Sequence, residues 1–180
     1  MTKKINLRKS LMAARAAIHP EIRAQWDADI GAQILAWWHA HPVSRMGVYL
    51  PIQCEPDLQG LYRELAARGV QLALPVVVEK DAPLEFCAWQ PGDQLTKDLC
   101  GVHVPAQRGA GVTPECLLLP CVGFNAERYR LGYGAGYYDR TLAVMPRPFT
   151  MGIAYSCSHA AFDAAAHDIA LDRIITEKPV

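Results

Sequence analysis

Net charge is the first thing this sequence lacks. Eighteen lysines and arginines are balanced by eighteen aspartates and glutamates. A formal charge of zero excludes a long nucleic-acid-binding face and favours a small ligand handled by local charge. Long apolar runs are missing too: none approaches the roughly 20 residues of a membrane span, so no membrane partner is expected. The basic start of the chain leads into an amphipathic pattern, not a signal-peptide apolar core. The six cysteines include no C-x-x-C pair and fit no zinc spacing. They read as small hydrophobes in a reducing cytoplasm. Internal repeats, low-complexity tracts and linkers are absent. Hydrophobic residues make up 51% of 180, which excludes wholesale disorder and suits a single domain over residues 1–180.

What is present is an alternation of helical and strand patterns. Leu7, Leu11, Ala14 and Ile18 recur at helical spacing and predict a helix over Lys4–Ile18. At about 100° per residue, Lys4, Arg8 and Arg15 form a narrow strip beside that apolar stripe. Such a strip is either a solvated edge or the lining of a groove. A second helix is expected from Pro20 to about His39, with Trp26, Trp37 and Trp38 as packing residues. Met46–Leu50 predicts a short strand, Asp57 a cap for a helix ending near Gly69, and Val70–Val78 and Leu84–Trp89 two strands. Lys97–Thr113 reads as loop. Cys116–Phe124 is the strongest strand candidate, Tyr137 to about Met145 a helix, and Phe149–Tyr155 and Leu171–Thr176 two last strands. The pattern defines an α/β class with a mainly parallel or mixed central sheet flanked by helices.

The most informative stretch is Arg130-Leu131-Gly132-Tyr133-Gly134-Ala135-Gly136-Tyr137-Tyr138-Asp139-Arg140. Its G-x-G-x-G spacing is not the G-x-G-x-x-G dinucleotide fingerprint, and no Gly-Lys-Ser/Thr follows as in a P-loop. Glycines permit unusual dihedrals and close approach, and successive N–H groups can converge on an anion. Arg130 offers a bidentate clamp for phosphate, and Asp139 a ligand for a hard cation such as Mg²⁺. The residues alone leave two readings, a polyphosphate cradle or a glycine-rich turn before a helix.

That run, preceded by Leu117-Leu-Leu-Pro-Cys-Val-Gly-Phe124, resembles the signature of the 5-formyltetrahydrofolate cyclo-ligase family, also called methenyltetrahydrofolate synthetase. The resemblance covers nearly the whole chain. Lys4-Ile-Asn-Leu-Arg8, Val48–Glu55, Trp89–Asp93, Val104-Pro105 and His167-Asp168 follow in family order. It implies an α/β sandwich related to the ribose-5-phosphate isomerase and glucosamine-6-phosphate deaminase group. It also implies ATP- and Mg²⁺-dependent conversion of 5-formyltetrahydrofolate to 5,10-methenyltetrahydrofolate, in a cytoplasmic monomer or small homo-oligomer. The alternative is a non-catalytic folate or nucleotide binder of the same fold.

Carried onto this sequence, Lys4, Arg8 and Arg130 through Tyr138 would bind ATP. Leu50, Glu55 and part of the same loop, Tyr133 to Tyr137, would bind the folate. Asp139 and Asp168 would hold Mg²⁺. No proton-transfer residue is assigned; His159 and His167 qualify only by type. Asn125 stands where the family usually has an acid, and Ala126–Tyr129 lacks a usual glycine, leaving Arg128 as a candidate extra cation. The folate stacking partner is open among Tyr133, Tyr137 and Trp89.

Overall fold

The computed structural model describes residues 2–109, 111–144 and 146–178. Its helices are α1 (Thr2–Ala16), α2 (Pro20–Ala40), α3 (Gln59–Ala67) and α4 (Tyr137–Val144). The expected end of α4 near Met145 lies outside the described residues. The first five strands are β1 (Arg45–Gly47), β2 (Gln71–Val76), β3 (Glu85–Trp89), β4 (Leu95–Lys97) and β5 (His103–Pro105). The remaining five are β6 (Cys116–Pro120), β7 (Gly123–Phe124), β8 (Arg130–Leu131), β9 (Phe149–Ile153) and β10 (Arg173–Ile175).

Six strands form the central sheet in the order β10-β9-β6-β1-β2-β3. Every neighbouring pair is parallel except β2 with β3. The mainly parallel α/β sheet is thus the one the alternation of patterns predicts. Strand β6 shows why a continuous apolar run encodes a central strand. Cys116 and Leu118 pack toward Ile30 and Ile34 of α2 and Leu61 and Leu65 of α3. Leu117 and Leu119 pack on the opposite face with Leu142 of α4 and Leu171. Both faces are covered, so no polar residue alternates into the run. Helix α2 opens with Pro20 in its first turn, as expected, and sends Trp37 into the core against Phe149 at a centroid distance of 4.9 Å.

All six expected strands are shorter than the sequence suggests, and for two of them the physical reason is visible. β1 stops at Gly47: Val48 still donates to the carbonyl of Ala73, but the carbonyl of Tyr49 is taken by the Tyr62 hydroxyl. Pro51 then has no N–H to offer a neighbour. β6 stops at Pro120, because the N–H of Val122 turns to the carbonyl of Leu131. Gly123 and Phe124 then form an antiparallel hairpin with Arg130 and Leu131. The stretch read as loop, Lys97–Thr113, contains β5, which with β4 makes a second hairpin. Its turn hangs on one side chain. Asp98 accepts from the backbone N–H groups of Val77, Cys100 and Val102.

The cysteines divide by position. Cys87, Cys116 and Cys121 are buried, whereas Cys100 and Cys157 are exposed. Burial pushes the Cys116 and Cys121 thiols up to about 12, leaving almost no thiolate at neutral pH. Maleimide labelling mapped by mass spectrometry is therefore expected to mark Cys100 and Cys157 in the native protein, and Cys116 and Cys121 only after denaturation.

Candidate functional site

From β1 the chain runs outward through β2 and β3, then returns to the other side of β1 as β6 and runs outward through β9 to β10. The segments leaving the carboxyl ends of β1 and β6 therefore diverge and open a crevice, where ligands bind in sheets of this kind. The segment after β1 carries Leu50 and Glu55. The segment after β6 carries the glycine loop. A cavity of about 790 Å³ lies between them. Lys4, Arg8, Leu50, Glu55, Asp168 and the run 130–139 all line it, so every site residue expected from the sequence faces one space.

Helix α1 supplies the cations from the strip that its helical period predicts. Ala14, placed on the apolar stripe, is exposed, and the face turned inward carries Lys4, Arg8 and Arg15 beside Leu7, Leu11 and Met12. Leu11 is the anchor. It packs with Val122 and Leu131, and it comes so close to Gly123 that a Cβ there would lie 2.6 Å from its Cδ1. This pins α1 to the β7–β8 hairpin with its guanidinium groups over the loop. The basic strip is a groove lining and not a solvated edge.

Each of the three alternating glycines lies against one guanidinium. A Cβ on Gly132 would overlap the Arg130 Nη1, and one on Gly136 would stand 3.2 Å from the Arg140 Nη1. At Gly134 it would stand 3.6 Å from the Arg8 Cζ. Gly134 and Gly136 also take φ of +109° and +68°, which glycine adopts without a steric penalty. Arg8 fixes the loop further by donating from Nε to the carbonyl of Gly132 at 2.7 Å. Arg130 is the most telling of the three. Its side chain is 7% exposed, it pairs with Asp139 at 3.0 Å, and its guanidinium lies 5.0 Å from the Tyr138 ring centroid. Its Nε is buried with no hydrogen-bond partner in the protein. A buried, unmatched guanidinium donor on a cavity wall is a place prepared for an anion.

The opposite wall centres on Glu55, only 3% exposed. It follows a tight turn in which Gln53 and Cys54 take φ of +48° and +62°, and its N–H donates to the carbonyl of Ile52. Two successive positive φ values are the signature of a type I′ turn, a conformation non-glycine residues enter at about 1–3 kcal/mol each. Each carboxylate oxygen accepts one hydrogen bond, from Tyr133 Oη at 2.6 Å on Oε1 and from the Ile52 N–H at 3.0 Å on Oε2, which leaves acceptor capacity on both. Burial raises its pKa, opposed by the Tyr133 and Ile52 hydrogen bonds and by the positive charge of Arg15.

The two aspartates expected to hold metal both face the cavity, each against a cation. Asp139 pairs with Arg130, and Asp168 pairs with Lys4 at 3.4 Å while accepting from the N–H of Ala165. No cluster of three or more candidate ligands occurs among the described residues. That donor set suits Mg²⁺, which is commonly held by one or two carboxylates together with substrate phosphates and water.

Several secondary expectations need correction. Trp89 sits in the core against Tyr62, with ring centroids 6.0 Å apart, so of the three stacking candidates only Tyr133 and Tyr137 reach the cavity. Arg128 does not serve the loop. It is bonded through Nε to the carbonyl of Leu171, and its own φ of +64° takes the place of the glycine usual in this stretch. Asn125 donates from Nδ2 to the carbonyl of Phe162 and accepts from the N–H of Tyr129. An ionised aspartate could make only the second bond. His159 lies beside Phe124, whereas His167 opens onto the cavity 3.7 Å from Asp168. Sequence reading missed Arg15 as a site element: its Nη2 donates to Tyr133 Oη at 2.9 Å from 118 residues away.

Fold and site together define an α/β protein with a cavity at the switch point of its sheet, one wall lined by Lys4, Arg8 and Arg130 and the other by Glu55. The sequence model of the 5-formyltetrahydrofolate cyclo-ligase family matches residues 1–177, and the chain belongs to that family. It is 31% identical to the 5-formyltetrahydrofolate cyclo-ligase of Mycoplasma pneumoniae over 175 residues, 96% of this chain and 97% of that one. Against the cyclo-ligase of Escherichia coli strain K12 the identity is 27% over 174 residues, 92% and 96% of the two chains. The 5,10-methenyltetrahydrofolate synthetase structure from M. pneumoniae superposes with a TM-score of 0.81 at 28% identity, covering 97% of this chain and 99% of that one. The corresponding structure from Aquifex aeolicus gives 0.84 at 28% identity, covering 98% and 90%.

Substituting Gly132→Ala tests the seating of the arginines. The added methyl meets the movable end of a side chain and not backbone, so the melting temperature should change little. Displacing Arg130 removes a charge-assisted contact, and calorimetry should show tripolyphosphate affinity falling by roughly tenfold.

Proposed function

We propose that this protein closes the ring of 5-formyltetrahydrofolate, using ATP, to give 5,10-methenyltetrahydrofolate, ADP and phosphate. The observation that carries the reading is the cavity itself. An anion-ready wall with the unmatched Arg130 Nε faces a wall bearing the buried acid Glu55. The triphosphate lies along the loop 130–138 with Lys4 and Arg8 above it. The pterin edge meets Glu55, whose carboxylate accepts from N–H groups, and Leu50 lines the same side.

The formyl oxygen attacks the γ-phosphorus and ADP leaves. N10 then attacks the activated formyl carbon, and loss of the N10 proton and of phosphate leaves the methenyl bridge. Phosphoryl transfer depends chiefly on placing reactants in line and stabilising charge, which Arg8 and Arg130 are placed to do. Asp139 and Asp168 would hold Mg²⁺, which supplies charge neutralisation on the phosphates.

Mixing the protein with 5-formyltetrahydrofolate, ATP and Mg²⁺ should produce the near-ultraviolet absorbance of the methenyl product. Tight folate or ATP binding with no such absorbance would support the non-catalytic alternative. Asp139→Asn is expected to lower kcat far more than it weakens folate binding. Equal losses in both would make Asp139 a structural partner of Arg130.

Glu55 also predicts a pH dependence. The ionised form accepts the pterin N–H, and its pKa is raised by burial. Folate affinity should therefore be complete above that pKa and decline as the pH falls through it, at a higher pH than for an ordinary glutamate. Glu55→Gln should flatten this limb in fluorescence titrations of folate binding.

A further inference from the structure

Arg15 is a buried cation that the proposed reaction does not use. It is 1% exposed and does not line the cavity. All three of its hydrogen bonds go to uncharged oxygens. Nε donates to the carbonyl of Gln53 at 3.1 Å, Nη1 to the carbonyl of Cys121 at 3.3 Å, and Nη2 to Tyr133 Oη at 2.9 Å. A guanidinium taken out of water without a carboxylate beside it is costly, and a packing role alone would be met by an apolar side chain.

Its three contacts have one thing in common. Gln53 belongs to the left-handed turn that presents Glu55. Cys121 begins the segment leading to the glycine loop. Tyr133, inside that loop, hands its own hydroxyl hydrogen to Glu55 at 2.6 Å. Because Arg15 occupies one acceptor lone pair of the hydroxyl, the Tyr133 hydrogen is directed at the carboxylate.

We infer that Arg15 is a positioning residue for the folate side of the site: it orients Tyr133 and so holds Glu55 in place as an ionised acceptor. This rests on the cyclo-ligase reading of the cavity. The charged and titratable neighbours of Glu55 are consistent with the role. Tyr133, Tyr49, Tyr62, Tyr138 and Cys121 are all kept neutral by burial, so Arg15 is the cation that favours the ionised carboxylate.

The test is steady-state kinetics and the pH profile of kcat/KM for 5-formyltetrahydrofolate in Arg15→Gln, Arg15→Lys, Tyr133→Phe and the Arg15→Gln/Tyr133→Phe double variant. Arg15→Gln should raise KM for the folate about tenfold, the loss of one hydrogen bond to a charged group, and leave KM for ATP much less affected. Its acid limb should move to higher pH, because a cation that favoured ionisation is gone. Arg15→Lys, which keeps a cation, should show only part of that shift, and Tyr133→Phe should reproduce it. The double variant should cost less than the product of the single effects, as for residues acting through one contact.

A lower melting temperature in Arg15→Gln with unchanged folate KM and an unmoved limb would make Arg15 structural and overturn the inference. If Arg15→Gln does not fold, an unmoved limb in Tyr133→Phe does the same. Wild-type protein that neither binds folate nor forms product would instead overturn the function proposed for the cavity. Wild type that works, with a limb indifferent to both substitutions, refutes the positioning role alone.

Discussion

Guanidinium groups resting on glycines hold this site together. Arg130 and Arg140 occupy space that a side chain at Gly132 or Gly136 would fill or crowd, and Arg8 lies in contact beside Gly134, whose φ of +109° itself calls for glycine. The alternating spacing follows from that requirement: on alternate residues the backbone offers a bare surface to a planar cation, and the residues between project elsewhere. Tyr133 goes to Glu55, and Ala135 gives its carbonyl to Arg140. The loop binds cations through its backbone, and those cations in turn create the anion site. A P-loop works the other way round, with its backbone N–H groups meeting phosphate directly.

Keeping several cations at one wall carries an electrostatic cost that the structure offsets locally. Lys4 and Arg130 are each given an aspartate, and Arg8 a carbonyl. Asp139 and Asp168 thus neutralise the wall in the form described here and are the same groups suited to a divalent cation arriving with a polyphosphate. On the far wall one acid faces the cavity, with Arg15 behind it and tyrosines and a cysteine that burial keeps uncharged around it. Opposite polarities across one cavity fix which end of a two-part ligand lies where.

Much of this was legible in the sequence. The run Cys116–Pro120, the helix opened by Pro20 and the spacing of the three glycines each carry enough local information to be read directly. The residues carried over for ATP, folate and Mg²⁺ converge on one space, whereas Trp89, Arg128 and His159 lie away from it. The hairpin of β4 and β5 was not legible, because its strands are short and partly exposed and its turn depends on the side chain of Asp98. The apolar stripe of α1 was misjudged only at Ala14, because a period of hydrophobic residues is assumed to mark burial. Here the inward face carries Lys4, Arg8 and Arg15 beside Leu7, Leu11 and Met12, and the partners of its cations are loop carbonyls, a tyrosine hydroxyl and an acid far along the chain. Arg15 could be placed on the strip with Lys4 and Arg8, but nothing local shows that it would pass the lining by and reach a tyrosine hydroxyl.

The contacts that close the cavity join residues 118, 124 and 164 positions apart in the chain. Such closures are entropically expensive and gain nothing until the sheet beneath them is complete. The crevice is therefore complete only where α1, the glycine loop and the chain near Asp168 are all docked. Any ligand that spans it selects the finished molecule from all others, and its binding energy adds to the stability of the whole fold and not of one loop. Occupancy of the site then acts as a report on the integrity of the entire chain.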